Sequence, residues 1–200
     1  MRGISFISRI KGVVVLALLM SMFGYVSYPV NATDEGTFSL IEYVTNHQID
    51  THEEFNEVLE VYCGQASASV SENEISFQLY VDYENNMVVT IVVEDISQTR
   101  GSKAGRADKA YYSDAGVEIF TIVVEGRFNY TSTQCTTYSA SGSFNPSLMS
   151  SWTSTPTIYS GNYSPTCAYA RTAGTAHYLY MSVSYSLSLS CDTNGNLSAY

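Results

Sequence analysis

The chain has 200 residues, and nineteen acidic against nine basic residues give it a formal net charge of −10 at pH 7. A chain this acidic repels nucleic acids and anionic lipid surfaces, which excludes them as general partners.

The N-terminus has the pattern of a secretory signal peptide over residues 1–32. Basic residues precede an apolar run over residues 13–25, and a small-residue cleavage site follows, ending at Ala32. Residues 12–30 are nearly long enough for an uncleaved membrane anchor, but glycine, serine and proline interrupt them. We therefore expect secretion with cleavage near Ala32, and no stable membrane span afterwards.

Residues 33–200 are predicted to form a single secreted domain of ordinary size. Three of the nine basic residues leave with the signal peptide, so six basic against nineteen acidic residues give the remaining chain a net charge of −13. Fourteen carboxylates and no Lys or Arg occur from residue 33 to residue 99, which marks 33–99 as an acidic part. A basic stretch follows over 100–116, where Gly101 and Gly105 favour a solvated loop. A part rich in Ser, Thr and Tyr covers 117–200.

One amphipathic helix is predicted in the acidic part, over residues 52–63. Thr51 and Glu54 have the spacing of a capping box, in which each side chain accepts from the other residue's amide. Apolar residues then recur at helical spacing from Phe55 to Tyr62, and Gly64 supplies the stop. The apolar stripe needs a sheet to pack on.

Alternating residues predict strands over most of the remaining chain. A hairpin joins 75–83 to a return strand that is apolar on both faces and therefore central. Later strands end near Tyr130 with a bulge at Gly126, begin near Cys135, and span 152–159, with turns at 160–162 and 172–174. About seven strands and one N-terminal helix predict a mainly β fold, an antiparallel β-sandwich.

The last long strand, predicted over 177–190, has an apolar face and a face of serines. Tyr178 and Tyr180 take the same parity as Ser182 and Ser184, so these four residues form the candidate binding surface. Exposed tyrosines can stack on sugar rings or anchor protein partners at a small entropic cost. Tyr163 and Tyr169 also share a face, on the inside or the outside of the sandwich.

The chain has four cysteines, at positions 63, 135, 167 and 191. An even number in an exported protein predicts two disulfides, with three possible connectivities.

Residues 126–130 form a Gly-x-Phe-x-Tyr element that follows a Tyr- and Gly-containing lead-in, and Cys135 lies five residues later. The chain then ends with Ser/Thr-rich strands and Cys-Asp-x-Asn-Gly-Asn-Leu-Ser at 191–198. In these features, over less than half of its length, the chain resembles an uncharacterised family of small secreted proteins from Gram-positive bacteria. The resemblance implies export, a β fold and a Cys135–Cys191 bridge, with Cys63 and Cys167 either paired or free. It implies no activity and no site residues.

No catalytic residue, metal site or cofactor is predicted. His47 and His52 are expected at the surface around the helix start, and His177 in phase with the core residues of its strand. No Cys pair has the spacing of a zinc site, and residues 192–196 fit an Asn-Gly turn better than a calcium loop.

These features predict a secreted, non-catalytic binding or cell-envelope-associated module, whose partner is a glycan, an envelope component or a protein. One alternative is a secreted hydrolase that uses carboxylates of the acidic part. A second is a pore-forming protein that inserts a β-hairpin into a membrane, because apolar residues alternate with serine near the C-terminus.

Overall fold

The computed structural model describes residues 38–65, 69–97, 102–148 and 150–200, and the predicted signal peptide lies outside them. These residues belong to one compact unit, Glu35–Tyr200. Two helices come first, α1 (Leu40–Asn46) and α2 (His52–Cys63). The strands that follow are β1 (Glu74–Asp82), β2 (Met87–Asp95), β3 (Ser102–Tyr112), β4 (Glu118–Tyr130), β5 (Cys135–Pro146), β6 (Thr157–Ser164), β7 (Cys167–Tyr178), β8 (Met181–Asp192) and β9 (Leu197–Ala199).

The strands form two antiparallel sheets, which confirms the predicted mainly β, sandwich-like fold. One sheet has five strands in the order β1-β2-β3-β4-β5, and the other has four in the order β6-β7-β8-β9. Within each sheet, each strand pairs with the next one along the chain, so both sheets are simple meanders. The described residues contain nine strands and two helices, compared with about seven and one predicted.

The main core lies between the two sheets. Phe120 and Phe128 of β4 are fully buried there, as are Leu187 and Leu189 of β8. Burying one such side chain contributes on the order of 2 kcal/mol, so this layer holds the sheets face to face. The inward parity of Val183 to Cys191 in β8 agrees with the sequence prediction.

The helices cover the other face of the five-stranded sheet. Helix α2 has the predicted bounds, capping box and left-handed Gly64, and its buried Phe55 contacts Tyr112 edge-on with ring centroids 5.2 Å apart. Helix α1 was not predicted. Its cap residue Ser39 accepts from the amide of Glu42 and donates to Asp114, on the turn after β3.

The predicted loop over 100–116 is wrong, because residues 102–112 form β3. Two of the three basic side chains of β3 are matched by acids on the same sheet: Lys103 pairs with Asp95, and Arg106 donates to Asp108 at 2.7 and 2.8 Å. The third, Lys109, donates to the carbonyl of Ser186 at 3.4 Å. Glycine and charge therefore do not mark a loop here, since pairing on both sides and ion pairs along the strand stabilise it.

The predicted turns at 160–162 and 172–174 are also wrong, because both segments lie inside strands. Positions 161 and 174 are glycines because tyrosine rings lie close to the backbone there and leave little room for a side chain. A Cβ at Gly161 would lie 3.3 Å from the ring of Tyr169, and one at Gly174 would lie 2.6 Å from the hydroxyl of Tyr185. The chain reverses instead at residues 165–166, between β6 and β7, and at residues 179–180, between β7 and β8. The predicted single strand over 177–190 is therefore divided between two strands.

The two predicted disulfides are absent, since Cys63, Cys135, Cys167 and Cys191 are all free thiols in the structure. Cys135 and Cys191 share the core between the sheets, whereas Cys63 packs in the helix layer. Cys167 lies near Cys135. The even number of cysteines could not reveal that Cys63 packs in the helix layer, apart from the other three.

Candidate functional site

The four residues of the predicted surface do not share a face. Tyr180 is fully exposed in the turn after β7, and Ser182 and Ser184 are exposed on the outer face of the four-stranded sheet. Tyr178 points to the inner side, where its ring stacks on Trp152 with centroids 5.7 Å apart. The predicted grouping is therefore wrong, because the turn at 179–180 separates Tyr178 from the serine strand.

Four other tyrosines lie on the outer face of the four-stranded sheet. We call Tyr159, Tyr163, Tyr169 and Tyr200 the outer tyrosine surface. The rings of Tyr163 and Tyr169 are stacked, and the centroids of Tyr163 and Tyr200 are 6.2 Å apart. Tyr159, Tyr163 and Tyr200 are each about half exposed, at 49%, 50% and 58%. Pairs of this kind add about 0.5–1.5 kcal/mol beyond area burial and hold the rings in place.

Strand register places these rings beside one another. Gly161 pairs with Tyr169 across β6 and β7, and the missing side chain lets the Tyr169 ring lie against the glycine. Tyr200 is held opposite Ser188 by two backbone hydrogen bonds of 2.9 and 3.1 Å. Ser188 itself is 3% exposed, so the outer face of β8 is shielded from solvent at this residue.

The outer tyrosine surface is nearly uncharged. Arg171 is exposed and lies opposite Tyr159 in the register of β6 and β7, and Asp192, opposite Cys167 at the end of β8, is the other charged side chain on this face of the described strands. Partial burial raises the pKa of Tyr200, the Tyr163 phenol adds to the rise, and Arg171 opposes it. The Tyr200 phenol is therefore neutral at physiological pH and can both donate and accept a hydrogen bond.

Sequence reasoning found half of this surface. It placed Tyr163 and Tyr169 on one face but left open which side of the sandwich that face takes. Tyr159 shares the parity of Tyr163, which is a usable signal. Tyr200 had no such signal in the sequence, because its position depends on the pairing of the short strand β9 with the end of β8.

A concave feature, which we call the end cleft, lies where the turns after β1, β3 and β7 meet the segment 150–152. It has a volume of ≈ 610 Å³. Its walls are formed by Asn85, Asn86, Met87, Ser113, Asp114, Ala115, Val117, Glu118, Ile119, Ser150, Ser151, Trp152, Tyr178 and Met181. A cleft of this size and mostly apolar lining is typical of small-molecule sites.

The histidines are dispersed. His52 is not at the surface as expected: it is largely buried, contacts Glu74 at 2.8 Å and stacks on Phe77. His177 is exposed instead of facing the core, and its backbone bridges to Thr153. His47 is exposed as expected and stacks on Tyr43. The described residues that line the end cleft include two carboxylates, Asp114 and Glu118, but no histidine that could act with them as an acid or base.

The described residues hold neither a metal-binding cluster nor a membrane-spanning helix. No cluster of three His, Cys, Asp or Glu residues within the described ranges could hold a metal ion. None of the helices described here is long and apolar enough to cross a membrane.

Comparison with known proteins adds no relative. No protein-family model matches the chain, and no curated protein or solved structure matches it. The resemblance to secreted proteins of Gram-positive bacteria therefore stays a prediction.

Proposed function

We propose that the protein is an exported, non-catalytic binding module that binds a neutral glycan on its outer tyrosine surface. The observation that carries this proposal is the group of partly exposed rings on one face of the four-stranded sheet, with Tyr163 stacked on Tyr169 at 4.2 Å. Export rests on the N-terminal pattern of residues 1–32, which lies outside the described residues.

The geometry supports a flat ligand that stacks. Tyrosine rings on a rigid sheet offer broad apolar faces at little entropic cost, and the C–H faces of sugar rings are suited to stack on them. Hydroxyl groups of the tyrosines, together with Arg171, supply hydrogen-bond donors at the rim. The strong negative charge of the chain disfavours polyanionic glycans, so a neutral glycan fits better.

The test is a binding screen of the purified protein against soluble neutral polysaccharides, followed by calorimetric titration of those that bind. Tyr163→Ala and Tyr200→Ala should each weaken binding about tenfold, which corresponds to about 1.4 kcal/mol of stacking energy. Tyr180→Ala is the matched control, because this tyrosine is fully exposed but lies in the turn after β7. Its affinity should be unchanged.

Two outcomes would refute the proposal. Binding that survives both Tyr163→Ala and Tyr200→Ala would place the ligand elsewhere on the molecule. Failure of every neutral polysaccharide to bind, with the protein folded by circular dichroism, would exclude a neutral glycan as the ligand.

A further inference from the structure

The end cleft is distinct from the outer tyrosine surface and has its own chemistry. No residue of the outer tyrosine surface lines it, and Tyr178, the only tyrosine among its described lining residues, faces the inner side of the sandwich. Its ≈ 610 Å³ fall in the range of about 300–1,000 Å³ that small-molecule sites occupy. A ligand bound here would not compete directly with one on the outer face.

One part of the end cleft is apolar and aromatic. Trp152 and Tyr178 are stacked at an interplanar angle of 28°, and Trp152 is held from behind by Phe120 at a centroid distance of 5.4 Å. Met181 and Val117 remain 52% and 38% exposed beside them. Apolar side chains left open to water next to a fixed aromatic pair favour a ligand with an apolar body.

The charged side chains of the end cleft are all acidic. Asp114 and Glu118 line it, and no Lys, Arg or His is found among the described lining residues. Asp114 is fixed, because its Oδ1 accepts from the Ser39 hydroxyl at 2.7 Å and from the Ile41 amide at 2.9 Å. Glu118 is fixed through Oε1, which accepts from the Thr121 hydroxyl at 2.9 Å.

In both carboxylates the second oxygen has no hydrogen-bond partner among the described residues, so it can receive a positive charge. The net negative charge of the whole chain further raises the local concentration of cations. Trp152 is 6% exposed between Tyr178 and Phe120, so it contributes a small apolar part of the wall and not an open ring face.

We propose that the end cleft binds an organic cation with an apolar body. Its ammonium group lies beside Asp114 and Glu118, and its apolar part packs on Trp152, Tyr178 and Met181. This site is independent of the glycan surface, since neither carboxylate belongs to that surface.

The test uses the protein's own fluorescence. Trp152 is the only tryptophan of the chain, so its emission reports directly on the end cleft. The purified full chain is titrated with butyrylcholine and, in parallel, with 3,3-dimethylbutyl butyrate, the neutral isostere in which carbon replaces nitrogen. A saturable emission change is expected with butyrylcholine, and about tenfold weaker binding with the isostere.

Two variants test the role of charge. Asp114→Asn and Glu118→Gln should each weaken butyrylcholine binding about three- to tenfold and leave the isostere unaffected, because each keeps an oxygen for its internal hydrogen bond. Glu60→Gln is the control, since Glu60 is exposed on α2 and does not line the cleft. The thermal midpoint of each variant checks that the fold is intact, and Glu118→Gln keeps the test valid if Asp114→Asn loosens α1.

Equal affinity for the cation and its isostere would overturn the proposal, as would binding that neither variant changes. Absence of any saturable emission change or calorimetric signal up to 10 mM, a ceiling on the order of weak specific binding, would also overturn it. None of these outcomes bears on the glycan proposal, which Tyr163→Ala tests separately.

Discussion

The ring of Tyr163 stacks on that of Tyr169 across the β6–β7 pair, with centroids 4.2 Å apart and an angle of 21° between the planes. Tyr169 in turn lies against Gly161, its register partner on the edge strand β6. A glycine in an edge strand weakens the strand, and a neighbouring aromatic ring that covers it compensates for the loss. The same pair therefore stabilises the edge and offers a ring face to solvent.

The first prediction concerns a buried hydroxyl between the sheets. Thr172 of β7 is 0% exposed, and its hydroxyl donates to the carbonyl of Val123 on β4 at 3.0 Å. Thr172→Val keeps the shape but removes the donor, so it should lower the free energy of unfolding by about 1–3 kcal/mol. Urea unfolding measures this.

Thr175→Val is the control for this measurement. Thr175 lies on the same strand but on its outer face, and no hydrogen bond of its hydroxyl is found among the described residues. Its stability should change by less than about 0.5 kcal/mol. Equal losses in both variants would show that the bond between the sheets has no special role.

The second prediction concerns pH and the turn between β8 and β9. The Asp192 carboxylate accepts from the amides of Asn194 and Asn196 at 2.7 and 2.9 Å. Although burial opposes the shift, these hydrogen bonds hold the pKa of Asp192 below its usual value. Its contribution is therefore complete above the pKa of the unfolded chain, about 3.9, and is lost as pH falls through the lower folded value.

Asp192→Asn should consequently lower the unfolding free energy by about 1 kcal/mol at pH 7 and by less at pH 2. Thermal midpoints at the two pH values measure this. Glu84→Gln, an exposed carboxylate in the β1–β2 turn, should have no effect at either. A loss for Asp192→Asn that is the same at both pH values would exclude titration of this group as the cause.

Local signals predicted the parts of the fold that are encoded locally. The helix over 52–63 follows from its capping box and Gly64, and the hairpin of β1 and β2 follows from alternation around a short polar turn. Helix α1 carries the same kind of start signal, Ser39 with Glu42 three residues later, and it was missed; the contact of Ser39 with Asp114, 75 positions away in sequence, was hidden. Strand β3 was hidden for the same reason, since its ion pairs become visible only in register.

The candidate sites depend on still longer-range pairing. The turn between β7 and β8 has Leu179 at a positive φ of 51°, and a Leu-Tyr pair carries none of the usual turn residues. Because this turn was not predicted, Tyr178 was assigned to the wrong face of its strand. The end cleft was not predictable, because its walls come from three turns and from the segment 150–152.

The third prediction concerns thiol reactivity. Cys135 and Cys191 are 0% exposed, whereas Cys63 and Cys167 are partly exposed. Burial, with a contribution from Asp114, raises the pKa of Cys63 to about 11. In reduced native protein at pH 8, iodoacetamide should therefore label Cys63 about a hundredfold more slowly than an ordinary surface thiol, and the rate should rise about tenfold per pH unit.

Cys135 and Cys191 should react only after unfolding in guanidinium. Peptide mass spectrometry resolves the four sites, and rapid native labelling of Cys135 or Cys191 would contradict the buried core described for them.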